Sequence, residues 1–314
     1  MEKVAEYRAE FQRFLAKKVV VLTHNRADVD ALSSAYAVSK VIPGSIICTN
    51  EDMSEGARLL GEKLGIKTSE LNSIKKEDYE GIIVVDTSAY TLVPEAKGWN
   101  IVGIIDHHRS EGRDMKGEVE IIDSNSPSAA EIVANIVPSI DKDAAFALCV
   151  GIIADGARFK SARAGTFETL SRLMKIANAD YQELLSFAEP EQKQEAKIAI
   201  LSGMKKMDYI YCAGYIIATT ETSSNESDIA SLITEAADVA FVAKWKDREG
   251  ETRISARARK NVKIPLNSVM AKVGKILGGA GGGHPKAAGA ALKAHTTESL
   301  KTCVDVFIQV AGEY

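Results

Sequence analysis

The triplet Asp106-His107-His108 stands where the apolar run Ile101 to Ile105, broken only by Gly103, comes to a stop. A carboxylate and two imidazoles in a row offer an anion and two nitrogen donors, the raw material of a metal site or an acid–base centre. The same pattern, a polar group at the end of an apolar run, recurs along the chain. Lys18 to Thr23 ends in His24, with Asp28 and Asp30 just beyond; Gly81 to Val85 ends in Asp86; the largely apolar stretch Lys142 to Ile153 runs into Asp155. A single Asp after a strand is ordinarily a turn or cap residue, and a single His is ordinarily structural. The joint pattern is different, because Asp28, Asp30, Asp86 and Asp155 cannot share a cavity as bare charges: buried charge is paired or bound to metal. Two divalent cations would balance these carboxylates charge for charge. Mixed His/Asp donors suit manganese, zinc or iron better than calcium, and octahedral sites with positions left for water favour Mn2+ or Mg2+.

The elements that must bring these residues together follow from the hydrophobic pattern. Lys18–Thr23, Ser45–Cys48, Gly81–Val85 and Ile101–Ile105 read as strands, and the helix-forming stretches Ala31–Lys40 and Met53–Leu64 fall between them, with Gly65 placed as a C-cap. Residues 4–16 read as a first helix, and 88–97 are weakly helical. Strand and helix alternate, so a doubly wound, mainly parallel sheet is expected, with ligands outside the carboxyl ends of its strands. A further helix opens over Asp123–Ile132, where Ser128 and Glu131 have capping-box spacing. Lys142–Ile153 and residues 166–187 complete a first domain spanning 1–187. A charged, Gln-rich stretch within 188–205 is read as the linker or a linker helix. Beyond it, Tyr209–Thr219, Val239–Lys246 and Thr252–Ala258 are strand-like, Glu249-Gly250 suits a hairpin turn, and helices are expected at 265–277 and 296–311. Residues 206–314 thus form a smaller mixed-sheet α/β domain, with a cleft between the two.

The chain has 314 residues, enough for two domains. It has no apolar run long enough for a transmembrane helix, and residues 1–18 are charged rather than signal-like. Four scattered cysteines without a CxxC pair argue against a zinc knuckle and for reduced thiols in a cytoplasm. A net charge of −4 argues against coating long nucleic acid, though not against a small anionic substrate held by a few local cations.

Four stretches, THNRADVDAL (23–32), VVDTS (84–88), IIDHHRS (104–110) and GIIADGARF (151–159), together with ISARAR (254–259) and GGGHPKAAGA (281–290), resemble the DHH phosphoesterases and their DHH-associated C-terminal domain, in that family's order. The nanoRNase and pAp-phosphatase type is nearest in pattern. The resemblance implies a site for two metal ions, Mn2+ foremost, with Mg2+ or Co2+ as alternatives. His24, Asp28 and Asp86 would hold one; Asp30, Asp86, His107 and Asp155 the other, with Asp86 bridging. His108 would face the substrate phosphate and Asp106 would orient the imidazoles, so that Asp86, Asp106 and His108 carry the catalytic roles. Two departures stand out: Ala27 where the family often has Pro, and Gly156-Ala157-Arg158 where Thr-Gly often follows the aspartate. Neither removes a ligand; Arg158 reaches either substrate or solvent.

The glycine run before His284 follows a helix, not the strand that a dinucleotide fingerprint needs. Repeated glycine lets backbone N–H groups approach an anion. By the resemblance, Ser255, Arg257 and His284, with the N–H groups of Gly282 and Gly283, would bind a terminal phosphate or nucleotide; Arg259 and Lys286 are weaker candidates. The expected activity is hydrolysis of short single-stranded RNA or DNA and small nucleotides (nanoRNA, pApA, pAp) as a 3'-5' exonuclease or phosphatase, with no membrane role; a homodimer is compatible with the sequence. The competing readings are a phosphoanhydride hydrolase, such as an inorganic pyrophosphatase or exopolyphosphatase, and a catalytically silent nucleotide-binding regulator. A long-strand exonuclease of RecJ type fits less well, since no additional basic, aromatic-rich strand-binding domain is visible.

Overall fold

The computed structural model describes residues 2–50, 53–108, 112–156 and 159–312. Arg109 and Arg158 of the sequence motifs lie outside them. The chain divides into two compact units, residues 1–191 and 192–314.

Unit 1 begins with α1 (Glu2–Gln12) and continues β1 (Val19–Leu22), α2 (Val29–Val41), β2 (Ile46–Cys48), α3 (Glu55–Leu64), β3 (Thr68–Ser69), β4 (Gly81–Val85), β5 (Ile101–Asp106), β6 (Val119–Ile122), α4 (Ala129–Ile136), α5 (Lys142–Asp155), α6 (Ala164–Ala177) and α7 (Tyr181–Ala188). The strands form a sheet in the order β3-β2-β1-β4-β5-β6, every pair parallel. This order reverses direction between β1 and β4, and such a switch point is where doubly wound sheets bind ligands. Alternation along each strand splits the core in two. Val19, Val21, Ile83, Val85 and Ile105 pack against the helices on one face, whereas Val20, Leu22, Ile82, Val84 and Ile104 meet Leu71, Val93, Ala96 and Met115 from turns and short 3-10 segments on the other. The second layer is therefore thin: residues 88–97, read as weakly helical, contain a single 3-10 turn, Pro94–Ala96.

In the segment read as the opening of a helix, Asp123–Ile132, residues 123–128 are a turn that follows β6, and the helix, α4, begins only at Ala129. Ser128 caps α4 by accepting from the Glu131 N–H at 3.1 Å. The capping box is only half made, because the buried Glu131 carboxylate turns to Arg163, which donates Nε and Nη2 to Oε1 at 3.2 and 3.1 Å.

Unit 2 comprises α8 (Gln194–Lys205), β7 (Asp208–Cys212), β8 (Tyr215–Glu221), α9 (Glu226–Ile233), β9 (Val239–Lys246), β10 (Glu251–Ala258), α10 (Leu266–Ile276), β11 (Ala280–His284), β12 (Ala287–Leu292) and α11 (Thr296–Ala311). Most of the stretch read as linker is α8, which packs into this unit: Thr220 Oγ1 donates to the Gly203 carbonyl at 2.6 Å. The sheet runs β11-β12-β10-β9-β8-β7, antiparallel except for β8 with β9, and so is mixed. Helices α10 and α11 cover one face through Val269, Met270, Val273 and Phe307; α9 covers the middle of the other through Ile229 and Ile233. Among the described residues no helix is long and apolar enough to cross a membrane.

The glycine run is a strand, not a loop. Gly281 is required by packing, since a Cβ there would lie 2.1 Å from the Met270 carbonyl oxygen of α10. His295 stands at the N-cap of α11, exposed, with its ring stacked on Trp245 at 4.1 Å between centroids.

Candidate metal centre

The switch point fixes the first two groups. β1 ends and delivers His24; its neighbour β4 ends and delivers Asp86, whose φ of 61° turns the backbone sharply out of the strand. Aspartate is one of the few non-glycine residues that tolerate this left-handed conformation. His24 Nε2 lies 3.7 Å from Asp86 Oδ2. Asp28 caps α2 by accepting from the Ala31 N–H at 3.0 Å, and His24, Asp28 and Asp86 present donor atoms within 4.8 Å of one another.

The second group converges from more distant elements. Asp30, in the first turn of α2, is 1% exposed, and its oxygens accept from the first two N–H groups of α4: Ala129 to Oδ2 at 2.7 Å and Ala130 to Oδ1 at 2.8 Å. Helix N-termini favour anions, so α4 locks this carboxylate in place. His107, just past β5, points Nε2 at Asp86 Oδ1 (3.3 Å), Asp155 Oδ2 (3.4 Å) and Asp30 Oδ2 (3.9 Å). Its Nδ1 faces the Ser126 carbonyl at 3.3 Å, which assigns the proton to Nδ1 and leaves Nε2 free to ligate. Asp30, His107 and Asp155 form one compact donor group, and Asp86, His107 and His108 another.

Asp106 is wholly buried beneath them. It accepts from His108 Nδ1 (2.8 Å), from the His108 N–H (3.1 Å) and from Ser88 Oγ (2.6 Å). The His108 ring is held by one nitrogen while its side chain stays 54% exposed.

Electrostatics describe a site short of positive charge. Burial, reinforced by neighbouring carboxylates, raises the pKa of Asp28 and of Asp30, and that of Asp155 to about 6. Burial would raise Asp86 too, but the His107 and His24 imidazoles, 3.3 and 3.7 Å from its oxygens, outweigh it and hold the carboxyl low. Asp106 is likewise carried below its usual range, to about 2: burial opposes ionisation, and the bonds from His108 and Ser88 overcome it. Desolvation would lower His24 and His107, but Asp86 together with the neighbouring charges of Asp28 and Asp155 outweighs it and raises both; His108 is raised to about 9, chiefly by its bond to Asp106. Asp86 Oδ1, buried, receives no well-aligned hydrogen bond. Carboxylates crowded until their ionisation is penalised, imidazole nitrogens aimed at them, and an orphaned carboxylate oxygen at the centre fit divalent cations.

The sequence-predicted residues His24, Asp28, Asp30, Asp86, His107, His108 and Asp155 are thus brought together, with Asp106 directly behind. Sequence reasoning missed three supports: Ser88, although it lies in VVDTS; the Ser126 carbonyl; and the N-terminus of α4, which as backbone leaves no side-chain signature.

In unit 2, register places the other predicted residues. Ser255 pairs with Gly289 and Gly289 with Gly282; Arg257 pairs with Ala287 and Ala287 with His284. Cross-strand partners share a face, so Ser255, Arg257, Gly282 and His284 line one side of the sheet, the side that carries α9. Gly283 alternates to the other side, where a Cβ would lie 2.8 Å from the Ala287 carbonyl oxygen. Arg257 is held in place by Ala256 O at 3.0 Å and by Ser227 Oγ of α9 at 2.5 Å. Two candidates take structural roles instead. Arg259 donates to the Thr234 and Glu235 carbonyls at the end of α9, and Lys286 donates to the Val262 carbonyl.

Residues 18–152 match the DHH family, N-terminal domain, and residues 211–313 match the DHHA1 domain. The chain belongs to the DHH family, whose members are metal-dependent phosphoesterases and related hydrolases. An uncharacterized protein of Methanocaldococcus jannaschii is 31% identical over 87% of this chain and 86% of its own length. Other curated relatives are longer, and the chain spans 35 to 43% of them. Among solved structures, an exopolyphosphatase-related protein of Bacteroides fragilis superimposes with a TM-score of 0.78 at 14% identity, over 99% of this chain and 97% of that one. The exonuclease RecJ bound to manganese gives 0.52 at 14% identity, over 99% and 94%.

Proposed function

We propose that this protein is a two-metal phosphoesterase that hydrolyses the phosphate esters of short oligonucleotides and small nucleotides such as pApA and pAp, acting from the 3' end. The observation that carries the reading is the cluster around Asp86, a buried carboxylate common to the groups His24–Asp28–Asp86 and Asp86–His107–His108, with His107 joining them to Asp30 and Asp155. His24, Asp28 and Asp86 would hold one ion, and Asp30, Asp86, His107 and Asp155 the second, with Mn2+ best suited to this mixed donor set. Cations bound there supply Lewis acidity, drawing off charge that builds on the phosphoryl oxygens and acidifying water for in-line attack.

The chain's own groups do the rest. Asp106 accepts from His108 Nδ1 and holds the ring as the imidazolium, whose Nε2–H is then free to donate to a phosphoryl oxygen. Arg257 offers a fork that suits a terminal phosphate in two hydrogen bonds. Ser255, His284 and the backbone of Gly282, at which a Cβ would meet nothing within 4 Å, leave room for that end of the substrate. The Gly283 N–H sits in a strand whose side-chain direction is away from this row, so its part is confined to the backbone. Recognition of one terminus favours short chains over the interior of polymers. The manganese-bound exonuclease RecJ shares the fold and agrees with this chemistry.

The second reading, phosphoanhydride hydrolysis, draws on the exopolyphosphatase-related structure. Assaying pApA, pAp, a five-nucleotide RNA and pyrophosphate side by side with Mn2+ separates them. Preferred cleavage of the nucleotides supports the proposal; preferred cleavage of pyrophosphate overturns it in favour of the second reading; nucleotide binding without turnover on any of them would identify a silent regulator.

A further inference from the structure

The helical layer on one face of the unit 2 sheet stops one strand short. α9 packs on β9 and β10, and α8 packs on β8 and beside α9. The next strand outward is β7, an edge strand. Its register pairs Tyr209 with Ala218 and Tyr211 with Ile216. Ala218 lies in the core under α9, so both tyrosines project on the helix-bearing face, beyond α8 and uncovered. They are 66% and 75% exposed, and on α8 Ile198 and Leu201 are 55% and 66% exposed. Of the thirteen exposed large apolar side chains among the described residues, nine fall between Ile198 and Leu232. A concentration of this kind marks an interaction surface.

We infer that this surface is a self-association interface: β7 pairs antiparallel with β7 of a second copy about a two-fold axis at Ile210. The segment Tyr209-Ile210-Tyr211 reads the same in both directions, so in that register each tyrosine faces a tyrosine, and aromatic cross-strand pairs are favourable. An axis normal to the sheet leaves the faces unchanged, and the tyrosines of both copies fall on one side, between the two α8 helices. Those helices, each above its β8, would stand about three strand spacings, or about 14 Å, apart. Directly packed helices sit about 8–10 Å apart. The four tyrosines fill the difference, and Ile198 and Leu201 on each flank close against them. The exposed parts of Ile198, Leu201, Tyr209 and Tyr211 amount to roughly 500 Å² per copy. The β7 edge with Ile210, and Ile216 beside it on β8, 40% and 38% exposed, bring the total toward the roughly 800 Å² per partner of a standard interface. The pairing also removes the hazard of an apolar open edge.

Sedimentation velocity or light scattering on the full chain tests this. The wild type is expected to be dimeric at micromolar concentration. Leu201→Glu combined with Tyr211→Glu is expected to weaken the dimer by roughly 100-fold or more while leaving the circular dichroism spectrum unchanged, since both side chains are largely exposed. Ile276→Glu, at a residue 60% exposed on α10, is the control and stays dimeric. A monomeric wild type overturns the inference, as does a dimer that the double substitution leaves intact.

Discussion

Gly151→Ala tests how packing behind the metal centre sets its geometry. Gly151 lies within α5, and a Cβ there would come 2.2 Å from Ser33 Oγ, 2.9 Å from Ala130 Cβ and 3.2 Å from Asp30 Oδ1. Ser33 can rotate away, but Ala130 is fixed on α4, and carbon atoms rest at about 3.5–4.0 Å. The first turn of α4 must therefore recede by roughly 0.6 Å or more. That turn supplies both N–H groups that hold Asp30, so the carboxylate is carried with it. Overpacking costs about 1–3 kcal/mol, and replacing glycine by alanine inside a helix returns about 1 kcal/mol. The net destabilisation of about 1 kcal/mol lowers Tm by about 3 °C. The effect on the site is larger, because displacing a ligand's support costs about 10–100-fold in metal affinity. Calorimetric titration with Mn2+, alongside hydrolysis of pApA at rising Mn2+, should show weaker binding of one ion and activity regained at high metal. Mn2+ affinity within about twofold of wild type would refute the reasoning, since a change that small lies well below the expected loss.

Asp86→Ala removes the carboxylate common to both donor groups and should abolish hydrolysis with Mn2+, Mg2+ or Co2+ alike; turnover near wild type with any of them would refute the site. Arg257→Ala should chiefly raise KM for substrates with a terminal phosphate and leave kcat little changed, and an unchanged KM would move the clamp elsewhere. A pH series on chelator-treated protein follows the Asp106–His108 pair. His108, raised to about 9, contributes stability that is complete below 6.5 and lost as pH rises through about 9. Asp106, lowered to about 2, contributes stability that is present above 3.8 and lost as pH falls through about 2. His108 is half exposed, so after allowance for solvent screening its share is about 1 kcal/mol. The difference in stability between wild type and His108→Gln should shrink by that amount from pH 6.5 to 9; a flat difference would refute the pairing.

What could be read from the residues alone depended on how the strands are buried. β1, β4 and β5 lie covered on both faces, so they appear as unbroken apolar runs, and the first polar residue after each marks the carboxyl edge of the sheet. That signal located His24, Asp86 and Asp106. β11 escaped because glycine is depleted in strands, yet here the close approach of α10 leaves no room for a side chain at Gly281. The β7–β8 hairpin was read as one strand because its turn uses Ala213, with φ of 52°, before Gly214, in place of the usual Asn-Gly. Arg259 looked like a partner to Arg257 by alternation; its real partners are backbone carbonyls, which carry no trace in sequence. Asp30's attachment to α4 was hidden for the same reason.

The backbone at Asp86 narrows what this position can hold. The left-handed conformation admits glycine, asparagine and aspartate with little penalty, whereas ligation at the centre of the cluster demands an ionised oxygen. Glutamate satisfies the second filter and fails the first; asparagine passes the first and fails the second. The two filters overlap at a single amino acid, so the route by which this chain could drift toward a silent binding protein runs through asparagine, a change invisible to the fold and fatal to the chemistry.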